Sequence, residues 1–160
     1  MKIPRFNDAH IPVATWSGRT AILCRLHAQL TDRGREEARS VACQFLERKL
    51  VLDHAWCSPY TRARQTAEEF IAIVQSDLVP ENGEWLTPEN RARDVLAILA
   101  DSDAQHVLLV SHNPLVSELN ALLTEGDISE RHILGTSELV CIEADPLAPG
   151  TGILQFVLKP

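Results

Sequence analysis

The sequence predicts an α/β protein, a three-layer α/β/α sandwich around a mostly parallel central sheet. Three observations lead there. Short apolar runs alternate with amphipathic helical stretches, the order that builds parallel sheets covered by helices on both faces. Two runs stop at a proline junction and pass directly into a helical pattern. These are Cys57-Ser58-Pro59-Tyr60-Thr61-Arg62-Ala63-Arg64-Gln65-Thr66 and Val107-Leu108-Leu109-Val110-Ser111-His112-Asn113-Pro114-Leu115-Val116. The chain then closes with two strand-like runs around a Pro- and Gly-containing turn. A length of 160 residues fits one domain over 1–160 with room for a substantial core.

The elements follow in order. Met1-Lys2-Ile3-Pro4 reads as a short first strand, where Pro4 removes a ladder donor and favours a strand end or edge. Residues 6–29 read as a long, partly irregular connection with a short apolar segment at 21–24. A helix is expected from about Thr31 to Lys49, with Ala38, Val41, Ala42, Phe45 and Leu46 on one face. His54-Ala55-Trp56-Cys57 is the next strand, and a second helix from Pro59 buries Ala63, Ala67, Phe70, Ile71 and Val74. Glu84-Trp85-Leu86 reads as a short strand, and Thr87-Pro88 opens a third helix with Val95, Leu96 and Leu99 inward. Val107 to Val110 is wholly apolar and bounded by turn signals, the pattern of a central strand buried on both faces. A fourth helix covers Pro114 to Leu123 and stops near Gly126. Leu139 to Ile142 and Ile153 to Leu158 make the terminal hairpin.

Composition narrows the function. A hydrophobic fraction of 45% and a charged fraction of 23% are ordinary for a globular domain. The net charge of −7 weighs against nucleic acid or an anionic membrane as partner, because the overall field repels both. A phosphorylated ligand would need a local basic pocket against that background. The longest apolar stretches are too short to span a bilayer, and the N-terminus lacks a signal-peptide core. Cys24, Cys43, Cys57 and Cys141 show no C-x-x-C spacing, so neither zinc nor a redox pair is suggested. Scattered thiols fit the reducing cytoplasm. No metal and no cofactor is called for.

The two proline junctions carry the chemistry. Each places Ser or Asn at an N-cap position and Pro at the first helical position. Helix N-termini offer free N–H groups and the positive end of the dipole, which suits phosphate. In sheets of this kind the ligand lies beyond the carboxyl ends of the strands. Arg62 sits one turn into the second helix. A lone arginine there is commonly a solvated charge, but its planar fork also suits two phosphate oxygens at once. Arg64 lies on a different face and reads as surface. His112 follows an apolar strand directly and could be a hydrogen-bonded structural histidine or an anion ligand. Ser58 fits a helix cap better than a nucleophile, since no base adjoins it. Asp8 and Glu84 read as solvated carboxylates rather than proton donors.

These segments resemble the histidine phosphatase superfamily, and within it the SixA-like branch of phosphohistidine phosphatases. Leu30-Thr31-Asp32-Arg33-Gly34 matches the branch's Leu-Thr-x-x-Gly, and Ser58 to Thr66 matches Ser-Pro-x-x-Arg-Ala-x-Gln-Thr. Leu86-Thr87-Pro88 matches a Leu-Thr-Pro segment, and Ser111 to Val116 matches Ser-His-x-Pro-Leu-Val. Gly135-Thr136-Ser137-Glu138 with the two runs after it resembles the C-terminal hairpin. The likeness covers nearly the whole chain in order and implies a phosphoglycerate mutase-like fold. It also implies that Arg62 and His112 bind phosphate and stabilise the transferring phosphoryl group.

The departure is at the front. The family's Arg-His-Gly falls on Arg5-Phe6-Asn7, which implies Arg5 and Asn7 in phosphate binding and Arg5 with Arg62 and His112 in catalysis. Asn7 is a mild replacement, since Asn tolerates a left-handed backbone. Phe6 is not mild, because the family's reaction needs an imidazole there to attack phosphorus. Loss of a protease nucleophile costs on the order of 10⁶-fold in turnover, and a comparable loss is expected here. Arg25-Leu26-His27-Ala28 faintly echoes the same motif, but His27 lies only three residues before Leu30, where the family has a much longer loop. His10 is a weaker substitute still. Three readings stay open. The first is a phosphate- or phosphoprotein-binding domain with weak or no catalysis. The second is an active phosphohistidine or small phosphoester phosphatase using another histidine or direct water attack. The third is an interaction module whose pocket is vestigial.

Overall fold

The computed structural model describes residues 18–25, 31–74, 77–129 and 132–160. Six strands form one sheet: β1 (Arg19–Arg25), β2 (His54–Cys57), β3 (Glu81–Asn82), β4 (His106–Ser111), β5 (Leu139–Ala144) and β6 (Ile153–Leu158). Their spatial order is β3-β2-β4-β1-β5-β6. The pairs β2–β3, β2–β4 and β1–β4 are parallel, and β1–β5 and β5–β6 are antiparallel. Four helices cover it: α1 (Asp32–Leu46), α2 (Thr61–Val74), α3 (Ala92–Asp101) and α4 (Leu115–Glu125).

Alternation along the central strands explains the two-sided core. Successive strand side chains point to opposite faces. Ala21, Leu23, Val107, Leu109, Val140 and Ile142 pack with Val95, Leu96, Leu99, Leu119 and Leu122 of α3 and α4. Ile22, Cys24, Leu108, Val110, Leu139 and Cys141 pack with Val41, Ala42, Phe45, Ala63, Ala67 and Phe70 of α1 and α2. The expected three layers and mostly parallel sheet are therefore present. Phe45 and Phe70 meet across the α1–α2 layer with ring centroids 5.4 Å apart.

Several boundaries differ from the sequence reading. The segment read as a short apolar stretch within a connection is β1, seven residues long and seated centrally between β4 and β5. Its buried middle, Thr20 to Cys24, is apolar apart from Thr20, as a strand covered on both faces requires. Arg19 anchors its start. The guanidinium donates to the carbonyls of Leu99, Ala100, Ser102 and Ala104, so a cation satisfies the free C=O groups at the end of α3. Glu84–Leu86 is a 3₁₀ turn, not a strand; the strand pairing falls just before it, on the two residues of β3. The third helix starts at Ala92, five residues later than Thr87, because Asn90 ties the intervening turn to Glu84 O and Thr87 Oγ1. The first helix is capped by Thr31, whose hydroxyl accepts from Gly34 N at 3.2 Å, and it ends at Leu46 rather than Lys49. The fourth ends on Gly126, whose φ of 80° is the left-handed conformation that glycine adopts without strain.

Candidate functional site

The parallel register brings the ends of β2 and β4 side by side, with Cys57 opposite Val110. The residues that follow, Ser58 and Ser111, are fully buried. Ser58 N donates to Val110 O at 2.9 Å, which extends the pairing one step past β2. Ser111 Oγ donates to Leu86 O and ties the end of β4 to the 3₁₀ turn. The next residue on β4's side is His112, and its Nε2 lies 3.1 Å from Ser58 Oγ. Two residues 54 apart in sequence thus meet at the carboxyl edge of the sheet, where ligands of this architecture bind.

Arg62 approaches the same ring from α2. Burial pushes the His112 pKa down from its ordinary 6.5, and the positive charge of Arg62 pushes it further in that direction. The Glu89 carboxylate pulls the other way. His112 is therefore mostly neutral at neutral pH, and Arg62 is exposed to solvent within electrostatic reach of it. An anion arriving here meets one permanent cation and one imidazole that can take a proton when negative charge is beside it. The pair can hold and neutralise a tetrahedral oxyanion.

Two further side chains complete the mouth. The Tyr60 ring lies 5.1 Å from the His112 ring at an interplanar angle of 58°. Its hydroxyl donates to Glu89 Oε1 at 3.4 Å, and the nearby carboxylate raises the phenol pKa. Glu89 is held ionised, chiefly by its own backbone N–H and by the Thr87 side chain, with Tyr60 and His112 assisting. Neither residue stood out in the sequence. Tyr60 follows Pro59 in the matched junction and Glu89 follows Leu86-Thr87-Pro88, so adjacency to a motif was the available signal.

Beneath the mouth, the second junction is locked in place. Asn113 Nδ2 donates to Leu134 O at 3.2 Å, and Ser117 Oγ donates to Asn113 Oδ1 at 2.6 Å. Leu134 N donates to Ser117 Oγ at 2.9 Å, closing the loop. Arg25, at the end of β1 and opposite Ser111, donates from Nη1 to the same Leu134 carbonyl at 2.7 Å. The expected Asn113 cap is thus not made. Its amide is committed to this network, and α4, starting at Leu115, has Pro114 at its N-cap with no side-chain cap hydrogen bond. Ser58 likewise turns its hydroxyl towards His112.

Of the residues expected at the site, Arg62 and His112 are brought together and Ser58 joins them, while Arg64, read as surface, pairs there with Glu68 at 3.3 Å. Glu84 lies exposed at the start of the 3₁₀ turn. Arg5, Phe6, Asn7, Asp8, His10 and His27 lie outside the described residues. Among the described residues no cluster of three or more His, Cys, Asp or Glu is gathered for a metal, and no helix is long and apolar enough to cross a membrane.

The chain is similar to several known proteins. The family model of the histidine phosphatase superfamily (branch 1) matches residues 14–83. Phosphohistidine phosphatase SixA of Escherichia coli (strain K12) is 29% identical over 164 residues, covering 99% of this chain and 92% of that protein. A SixA homolog of Haemophilus influenzae is 36% identical over 77 residues, covering 45% of this chain and 47% of that protein. The protein histidine phosphatase SixA, solved in complex with tungstate, superposes with a TM-score of 0.77 at 26% identity. That match spans 88% of this chain and 97% of the other.

Proposed function

We propose that this chain is a SixA-like domain of the histidine phosphatase superfamily that holds the phosphoryl group of a phosphorylated protein or small molecule with little or no turnover. The observation that carries the binding half is the contact of His112 with Ser58 under the charge of Arg62. Tungstate, the ligand solved with SixA, is a tetrahedral oxyanion like phosphate, which supports an anion at the matching strand ends here.

The second half concerns the nucleophile. The strand that fills the slot beside β4 ends on Arg25, which stands opposite Ser111, and the family match begins at residue 14, beyond Asn7. Both observations favour Arg25-Leu26-His27-Ala28 over Arg5-Phe6-Asn7 as the counterpart of the family's Arg-His-Gly. On either placement the residue after the arginine is a hydrocarbon, Phe6 or Leu26, with no lone pair to attack phosphorus.

The test is phosphate release from a phosphohistidine substrate by the unmodified chain, by Leu26→His, by Phe6→His and by His27→Ala. The unmodified chain should be slow, on the order of the 10⁶-fold penalty seen when a nucleophile is removed elsewhere. Leu26→His should gain activity and Phe6→His should not. Brisk release by the unmodified chain that His27→Ala abolishes would make this an active phosphatase and overturn the proposal.

A further inference from the structure

The two edges of the sheet are finished in opposite ways. We propose that the β6 edge docks a second copy of this chain, strand against strand about a two-fold axis. At the far edge β3 is only two residues long, Glu81 and Asn82, both exposed and preceded by Pro80. A short, charged edge of that kind resists pairing. At the near edge β6 reads Ile153-Leu154-Gln155-Phe156-Val157-Leu158, with no charge, no proline and no glycine. Among the described residues its outer side pairs with no strand. Ile153, Leu154 and Val157 are 66%, 49% and 38% exposed.

The two faces of β6 differ as well. On the α1 side the strand is covered. Phe156 packs on Phe45 with ring centroids 6.4 Å apart, Arg48 lies over the Phe156 ring, and Gln44 Nε2 donates to Lys159 O. On the α4 side it is open. Val157 stands opposite Val140 and Leu154 opposite Ile142, and both partners belong to the core beneath α3 and α4. The register passes over Gln155, a bulge that brings Leu154 and Val157 to one face although they are three residues apart. Strand side chains repeat every second residue, so without the bulge one of the two would point to α1. Asn120 and Thr124 of α4 flank the resulting apolar strip without closing over it.

A second copy fits this surface because its charges differ in sign at the two ends. Lys159, largely exposed, stands just past the end of β6. Acidic groups stand at its start. Glu143 is opposite Ile153, Asp145 follows on the same strand end, and Glu125 closes α4 where Gly152 N donates to Leu123 O. Antiparallel pairing of β6 with its copy sets each Lys159 against the other copy's acidic end, twice in one interface. The same two-fold axis keeps each face of the sheet on its own side. Leu154 and Val157 of both copies then form one continuous apolar strip. The polar β3 edge cannot carry the pairing further, so the assembly closes at two copies. A net charge of −7 opposes self-association, and one strand pair is a small interface, so the dimer is weak. The anion site stays open, since β1 and β5 separate β6 from β2 and β4.

The experiment is sedimentation equilibrium of the full chain from micromolar to near-millimolar concentration. The unmodified protein should pass from the mass of one copy to that of two across this range. Val157→Lys and Leu154→Lys should each weaken association by about tenfold or more, because the two-fold axis sets like charges together. Val79→Lys, at an exposed valine beside β3, should leave it unchanged. Hydrogen exchange of the unmodified chain gives a reading that needs no variant: protection of the 153–158 amides should rise with concentration in step with the dimer. A single mass at every concentration would overturn the inference. So would a dimer indifferent to both lysines, or one weakened equally by Val79→Lys. Protection of β6 that is strong and independent of concentration would assign the edge to another segment of the same chain, and would overturn it too.

Discussion

The two strand-to-helix junctions carry similar letters, Ser-Pro after β2 and Asn-Pro after β4, and are held in opposite ways. After β4, Asn113, Ser117 and both polar backbone groups of Leu134 close a hydrogen-bonded ring that also takes in Arg25. After β2, Ser58 is buried, and Tyr60, Thr61 and Arg62 face solvent. The difference separates two requirements of an anion site. The imidazole must be aimed, because its donor lies along a fixed ring direction, so its strand end is locked from below. The guanidinium is long, always charged and offers several donors, so it can meet an anion from a less constrained helix turn. Preorganisation is concentrated where geometry is least forgiving.

Breaking the locked side should cost most. Ser117 is 1% exposed, and Ser117→Ala would strand Asn113 Oδ1 and Leu134 N without partners. A loss of about 2 kcal/mol or more in urea-induced unfolding is expected, since each buried unsatisfied group costs roughly 1–3 kcal/mol. Ser58→Ala removes one contact at the boundary of the two junctions, and its cost should be about 1 kcal/mol, the net worth of one hydrogen bond. A measured order opposite to this would show that the two junctions are not held as described.

The smallest effect is the most specific. Burial and Arg62 lower the folded-state pKa of His112 below 6.5, so the unfolded chain binds the proton more readily. The stability linked to this group is therefore present above about pH 6.5 and lost as pH falls through the folded value. In an NMR titration the His112 midpoint should lie below 6.5, rise in Arg62→Ala and fall further in Glu89→Gln. A midpoint indifferent to both changes would separate the three side chains.

How much of this was legible in the sequence varied with the kind of signal. Helical faces were, because Ala38, Val41, Ala42 and Phe45 repeat at the helical period and all are buried in the α1 layer. The central strand β4 was, because both its faces are apolar. Strand β1 was underread. Arg19 and Arg25 flank a short apolar run, and the reasons for those charges, the α3 carbonyls and Leu134 O, lie about 80 and 109 residues away. Glu89 was missed for a similar reason. Beside Thr87-Pro88 it reads as an ordinary acidic residue near a helix start, and only the meeting of three separate segments brings it to Tyr60 and His112. Arg62 and His112 were found because each stands in a junction whose local chemistry already favours anions.

The central claim is that Arg62 and His112 act together on one tetrahedral anion, and a thermal unfolding series in millimolar phosphate or vanadate tests it most directly. A ligand that binds only the folded state raises the midpoint with concentration. The unmodified protein should show that rise, and Arg62→Ala and His112→Ala should each lose most of it. No rise in the unmodified protein, or the same rise in both variants, would contradict the claim.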